Sequence, residues 1–323
     1  MSTMSVQESK VHYRRLGNSG LRVSVPIFGC MSLSESKSMP WPVKEEEALP
    51  LLKAAYDRGI NTWDAANVYG NGASEVIVGK ALKKYSIPRE KVVIMTKCFW
   101  GSSPSNQNQF GLSRTAIFNQ NTSTFLQIHR FDSTTPLEKT MKVLHDLVKS
   151  GKVRYIGASS MWATQFARLH FTAEKNGWTK FVGMQNQYNL LYPPLCRGHL
   201  ARAPVEFGST ARSVREEAVT DMKWVPATSS GVNEVDLAII KRVVEIAEKR
   251  RRPMAHVSLA WINKRVASPI IGFSKIERVE QAICAVGKVL SDEEERYMEE
   301  RYLEERYLEE LYQPKAVLVA ESL

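Results

Sequence analysis

Asp64, Tyr69, Lys97 and His129 stand at or just past the ends of three short apolar runs, residues 61–64, 92–97 and 126–129. An acid, a phenol, an amine and an imidazole at equivalent places on successive strands suit one kind of chemistry. A hydride arriving at a carbonyl carbon leaves an alkoxide that must be protonated. A tyrosine, with a free pKa of about 10, can supply that proton when an adjacent ammonium eases its ionisation. Lys97 is the ammonium, Asp64 the group that holds it, and His129 a hydrogen-bond donor to the carbonyl oxygen. Each residue alone also has a plain reading. Asp64 is then a turn cap, Tyr69 a loop aromatic, Lys97 a strand-end lysine that snorkels, and His129 a satisfied core histidine. Their shared position on consecutive strands favours the chemical reading.

The elements that must carry them alternate. A strand over 21–31 ends near Gly29, and a helix over 44–58 stops at Gly59. After the strand 61–64, Ser74 is expected to cap a helix reaching about Tyr85. Strands follow at 92–97 and 126–129, then a helix over 137–149 with Pro136 at its first turn and Gly151 closing it. A strand over 153–159, a helix near 163–176 and a strand over 181–187 continue the pattern. Helices over 235–250 and 254–264, a strand over 268–272 and a helix over 276–286 complete it. Strand then helix, with near-continuous apolar strands, implies a parallel sheet covered by helices. Repeats of this number favour a (β/α)8 TIM barrel, although only seven strands are convincing.

Composition narrows the class. Of the 323 residues, 43% are hydrophobic and 24% charged, as in ordinary globular proteins. The N-terminus lacks an apolar h-region, and no apolar run approaches the ~20 residues of a membrane span. Cys30, Cys98, Cys196 and Cys284 are scattered without CxxC spacing, which reads as reduced thiols in a cytoplasmic protein and as no metal site. The net charge is +10, and the one dense basic run, Lys249-Arg250-Arg251-Arg252, has no recognition module beside it. The expected partner is a small anionic cofactor and a small-molecule carbonyl substrate; neither nucleic acid nor membrane is expected, and the oligomeric state stays open.

The motifs resemble those of the aldo-keto reductases. DAANVYGNGASE at 64–75, IMTK at 94–97, LQIHRFD at 126–132, GKVRYIGASS at 151–160, MQNQYN at 184–189 and PIIGFSK at 269–275 keep that family's order. The resemblance is strongest to fungal aryl-alcohol dehydrogenases and versiconal hemiacetal acetate reductase. It implies a TIM barrel, NADPH, and the tetrad Asp64, Tyr69, Lys97 and His129. It further implies reduction of an aromatic or polyketide-derived aldehyde or ketone, in fungal secondary metabolism. Ser159, Ser160 and Gln185 match positions that hold the nicotinamide amide, with Asp64 beside them. Ser274, Lys275 and Arg278, with Gln281 a turn further on, match the segment that grips the adenosine 2′-phosphate. Many relatives have asparagine at Ser160, some have arginine at Lys275, and Ala282 replaces an adenine-contacting asparagine. Trp100 is a candidate for the substrate pocket.

Two stretches look short for this family. Between Lys97 and Leu126 a parallel crossover calls for a substantial helix, and 113–120 offers about two turns. Between Gln187 and Pro269 the seventh strand and the helix before it find no match. Residues 195–202 resemble only the loop that follows that strand, and 222–228 is the one substitute edge in view. The expectation is therefore a single domain over 1–323 whose barrel is incomplete, ending in a charged, solvated helical tail over about 291–323. The alternative to a working reductase is a catalytically impaired relative, a cofactor-binding remnant.

Overall fold

The computed structural model describes residues 11–34, 42–101, 110–118, 123–190, 208–212 and 234–300. Eight parallel strands close into a barrel: β3 (Ile27–Gly29), β4 (Thr62–Asp64), β5 (Val93–Cys98), β6 (Ser123–Ile128), β7 (Val153–Ser159), β8 (Gly183–Gln187), β9 (Gly208–Arg212) and β10 (Ser268–Gly272). A hairpin, β1 (His12–Arg15) and β2 (Arg22–Val25), precedes them. Its Arg14 donates to the carbonyls of Asn263 at 2.7 Å and Val266 at 3.1 Å, which ties the hairpin to the end of a late helix.

Inward and outward side chains alternate along each strand. Ile27, Met95, Phe125 and Ile270 gather with hairpin residues Leu16, Leu21 and Val23 in one buried cluster. Gly157 makes room for Phe125. A Cβ there would lie 2.3 Å from the Phe125 ring and 2.8 Å from the carbonyl of Gly183. Two residues further along β5 and β6 come Lys97 and Gln127, paired in register. The barrel thus changes from an apolar to a polar interior within one side-chain step.

Helices α1 (Glu45–Asp57), α2 (Ala73–Lys84), α4 (Leu137–Lys149), α5 (Ala163–Lys175), α6 (Glu234–Arg250), α7 (Met254–Asn263) and α8 (Ile276–Ala285) cover the outside. Leu144, Leu147, Ile156 and Leu169 illustrate how apolar helix stripes meet the outward face of the strands. The expected Ser74 cap is absent. Gly72, in the left-handed region with φ 93°, precedes the helix, and Ser74 Oγ instead donates 2.8 Å to the carbonyl of Cys30.

The short stretches resolve differently. Among the described residues of the crossover from β5 to β6 there is one helix, α3, the five residues Arg114–Phe118. The seventh strand position, expected to be empty, is filled by β9. It pairs with β8 over Gly183↔Gly208 to Gln187↔Arg212, and with β10 over Ser268↔Thr210 to Ile270↔Arg212. GSTAR carries no apolar run, so periodicity gave no signal for it; pairing of backbone groups defines it. Residues 195–202 and 222–228 lie outside the described residues.

The beginning of the tail is solvated on one side only: Asp292, Glu293, Arg296 and Tyr297 are exposed, whereas Glu294, Glu295 and Met298 are buried. Residues 292–300 form a helix with Met298 fully buried. Glu294 pairs with Arg250 at 2.6 Å, Glu295 with Arg265 at 2.8 Å, and Glu299 accepts from the Trp261 indole at 2.7 Å. Arg250 of α6, Trp261 of α7 and Arg265 just past it, invisible to an inspection of the tail alone, dock it.

Candidate active site

β4 ends at Asp64, which is 2% exposed, and β5 carries Lys97, which is fully buried. The Lys97 ammonium donates to Asp64 Oδ1 at 2.8 Å, Asp64 Oδ2 at 2.7 Å and the carbonyl of Ala65 at 3.0 Å. Burial works against its charge, yet Asp64 and Tyr69 outweigh that and hold Lys97 above the ordinary lysine range. It also lies 3.3 Å from the Tyr69 hydroxyl.

Tyr69 comes from a turn with three successive left-handed residues: Gly70 at φ 56°, Asn71 at φ 55° and Gly72 at φ 93°. Gly70 is required twice over, since a Cβ there would lie 2.4 Å from Cβ of Ser34. Asn67 ties the loop to β5, through its amide N–H to Lys97 O at 3.2 Å and its side chain to Trp100 O at 2.7 Å.

His129 follows β6 and is fixed by its N–H to the carbonyl of Cys98 at 2.9 Å. Its ring meets Tyr69 edge-on with centroids 5.8 Å apart, and Trp100 at 4.6 Å. The guanidinium of Arg130 stacks over Trp100 at 5.0 Å. The four residues nominated for chemistry therefore converge at the C-terminal rim, with Trp100 against the imidazole.

Gln185 on β8 joins them. Its Nε2 donates to Asp64 Oδ2 at 3.2 Å. Ser159 and Ser160 end β7 with hydroxyls 3.2 Å apart. Ser160 has φ 48°, and its N–H is shared between the carbonyl of Gln185 at 3.0 Å and Oδ1 of Asn186 at 3.1 Å. Ser274 and Lys275 are exposed after β10, where α8 begins. Arg278 lies in the first turn and reaches toward Gln281 at 3.5 Å. Lys275, the residue before α8, makes no side-chain cap to its first N–H groups. That helix start, with two cations beside it, has the donor chemistry that holds a phosphate. Carboxamide and hydroxyls at β7 and β8, and a cationic helix start after β10, fit a phosphorylated dinucleotide.

Sequence inspection passed over Gln127. It is fully buried and donates 2.9 Å to Gln185 Oε1. The available signal was a lone amide in an apolar strand, two residues before His129 and so on the same face. Among the described residues, no group of three or more His, Cys, Asp or Glu is placed to hold a metal ion. No described helix is long and apolar enough to cross a membrane.

The aldo/keto reductase family model matches residues 27–302. The chain belongs to the aldo/keto reductase family. An aldo-keto reductase of Fusarium vanettenii is 47% identical over 91% of this chain and 92% of its own. Versiconal hemiacetal acetate reductase of Aspergillus parasiticus is 41% identical over 95% and 98%. A putative aryl-alcohol dehydrogenase of Schizosaccharomyces pombe is 41% identical over 89% and 94%. The first alignment spans 341 positions and the second 354, more than the 323 residues of this aldo-keto reductase. Both relatives therefore carry residues that have no counterpart here, as the short crossovers led one to expect.

Proposed function

We propose that this aldo-keto reductase is a cytoplasmic, NADPH-dependent enzyme, folded as a single barrel domain, that reduces an aromatic or polyketide-derived aldehyde or ketone to an alcohol. The observation that carries the reading is the buried Lys97, bound to Asp64 and 3.3 Å from the Tyr69 hydroxyl. Bound NADPH would supply the hydride. Tyr69 donates its proton to the carbonyl oxygen, and the Lys97 ammonium faces the negative charge left on the phenol. Asp64 keeps Lys97 in place, and His129 orients the carbonyl by hydrogen bonding. Ser159, Ser160 and Gln185 are assigned to the nicotinamide amide, and Ser274, Lys275, Arg278 and Gln281 to the adenosine 2′-phosphate. The substrate class draws on the printed names of the versiconal hemiacetal acetate and aryl-alcohol relatives.

The alignment lengths favour a second reading, a relative that keeps the site but turns over weakly because segments around it are short. Following NADPH oxidation with a panel of aromatic aldehydes separates the two. Ordinary turnover that Tyr69→Phe abolishes supports the first. Cofactor binding without turnover supports the second.

A further inference from the structure

The mechanism assigned above leaves Gln127 without a role although it touches two of the residues that mechanism uses. Gln127 is fully buried in the barrel, at the level where the interior turns from Phe125 to Lys97. Its Nε2 faces two acceptors, Gln185 Oε1 at 2.9 Å and Asp64 Oδ1 at 3.5 Å. Gln185 Nε2 in turn donates to Asp64 Oδ2 at 3.2 Å. Gln127, Gln185 and Asp64 close a three-membered ring of side chains, and Lys97 completes the shell around the carboxylate.

The ring fixes which way both amides point. A flipped Gln185 would turn its carbonyl toward the Asp64 carboxylate and its amide toward the amide of Gln127. A flipped Gln127 would set its oxygen against Gln185 Oε1. Both arrangements oppose like dipoles in a dry interior. The arrangement also carries a penalty, because Gln127 Oε1 is buried and accepts no hydrogen bond from any described residue. Leucine or methionine would fill the place without that penalty, so packing alone gives no reason for a glutamine.

We infer that Gln127 is a positioning residue, one that sets the orientation of Gln185 and couples the cofactor-facing amide to the Asp64–Lys97 pair. Gln185 has two N–H groups and an oxygen that accepts twice. With one of each committed inside the ring, one donor and one acceptor stay available in a fixed geometry for a carboxamide. Gln127 touches neither hydride nor proton; it acts through Gln185 and Asp64. The inference rests on the NADPH-dependent reading above.

The test uses Gln127→Leu and Gln127→Glu in the full chain, read by NADPH fluorescence titration and by kcat and KM against pH. Gln127→Leu removes the donor while preserving bulk. It is expected to weaken NADPH binding and to lower kcat, together by roughly ten- to a hundredfold in kcat/KM, with the KM for the carbonyl nearly unchanged. Gln127→Glu donates to Gln185 only while its carboxyl is protonated. Its cofactor affinity is therefore expected to approach that of the unaltered chain at low pH and to fall as pH rises, whereas Gln127→Leu shows no such added dependence. A merely structural role would not produce that recovery. Unaltered cofactor affinity in both variants across the pH range overturns the inference. If the unaltered chain binds NADPH but reduces nothing, catalysis is what fails, and the affinity measurements still decide the role of Gln127.

Discussion

The ammonium of Lys97 lies 3.3 Å from the hydroxyl of Tyr69 and belongs to a residue with no exposed surface. Water cannot screen the pair, so the charge acts on the phenol at close range. Tyr69→Phe is expected to abolish carbonyl reduction and to leave the NADPH dissociation constant within a few fold, as fluorescence titration would show. Lys97→Met is also expected to stop turnover, and it strands the Asp64 carboxylate. Breaking a buried pair in this way costs roughly 3–5 kcal/mol, so chemical denaturation should show a large loss. Because Lys97 is held above the ordinary range in the folded state, its contribution is complete below that range and is lost only as pH rises through the raised value.

Much of this site was legible because strand ends are easy to read. Asp64, Lys97 and His129 each close an apolar run, and the run tells where the rim is. Gln127 was not legible as a partner, since its role depends on Gln185, 58 residues away. β9 was invisible for another reason: Gly208-Ser209-Thr210-Ala211-Arg212 has no hydrophobic pattern, and its neighbours define it. The docking of 292–300 likewise depends on Arg250, Trp261 and Arg265, which precede it by about thirty to forty residues.

Asp132 holds the loop after β6. Its carboxylate accepts from the N–H of Leu112 at 2.8 Å, the hydroxyl of Thr134 at 2.6 Å and the hydroxyl of Thr135 at 2.7 Å. Burial opposes its charge, but these donors prevail and bring its pKa down to about 2. A depressed pKa stabilises the fold above the ordinary aspartate value and is lost as pH falls from about 4 towards about 2. Asp132→Asn is expected to cost roughly 1.5–3 kcal/mol in urea unfolding at pH 7, the worth of a hydrogen bond to a charged group. It should also flatten stability across that acid window. Equal acid sensitivity in both proteins would show that the loop does not depend on this charge.

Lys275 and Arg278 flank the start of α8. If they face a 2′-phosphate, the double alanine variant should bind NADPH about two or more decades less tightly and NADH nearly as before. Titration of both dinucleotides by cofactor fluorescence checks this. Equal affinity of the unaltered chain for the two would contradict the assignment.

Ser160 sits at φ 48°, a region that asparagine tolerates better than serine. Ser160→Asn is expected to raise stability by a few tenths to about 1 kcal/mol. Its amide also adds a donor and an acceptor beside Ser159, so NADPH affinity should rise or hold. A lower melting temperature together with weaker binding would mean that the hydroxyl pair is itself the preferred arrangement.

The closure of the barrel rests on β9. An interior parallel strand commits each backbone N–H to one neighbour or the other, so proline is excluded from its middle. On one side β9 pairs over five registered positions with β8, and on the other over three with β10. The narrower seam is the one with β10, where Ala211 stands opposite Pro269. Ala211→Pro therefore removes a donor and rigidifies the strand where the barrel has least to spare. The expected loss is about 3 kcal/mol, or roughly 6–12 °C in melting temperature for a chain of this size. Parallel strands β8 and β10 would then present unpaired edges, and aggregation on heating should begin earlier. A variant that melts with the unaltered protein would show that 208–212 does not close the barrel. In that case β8 and β10 would have to be joined by some other means.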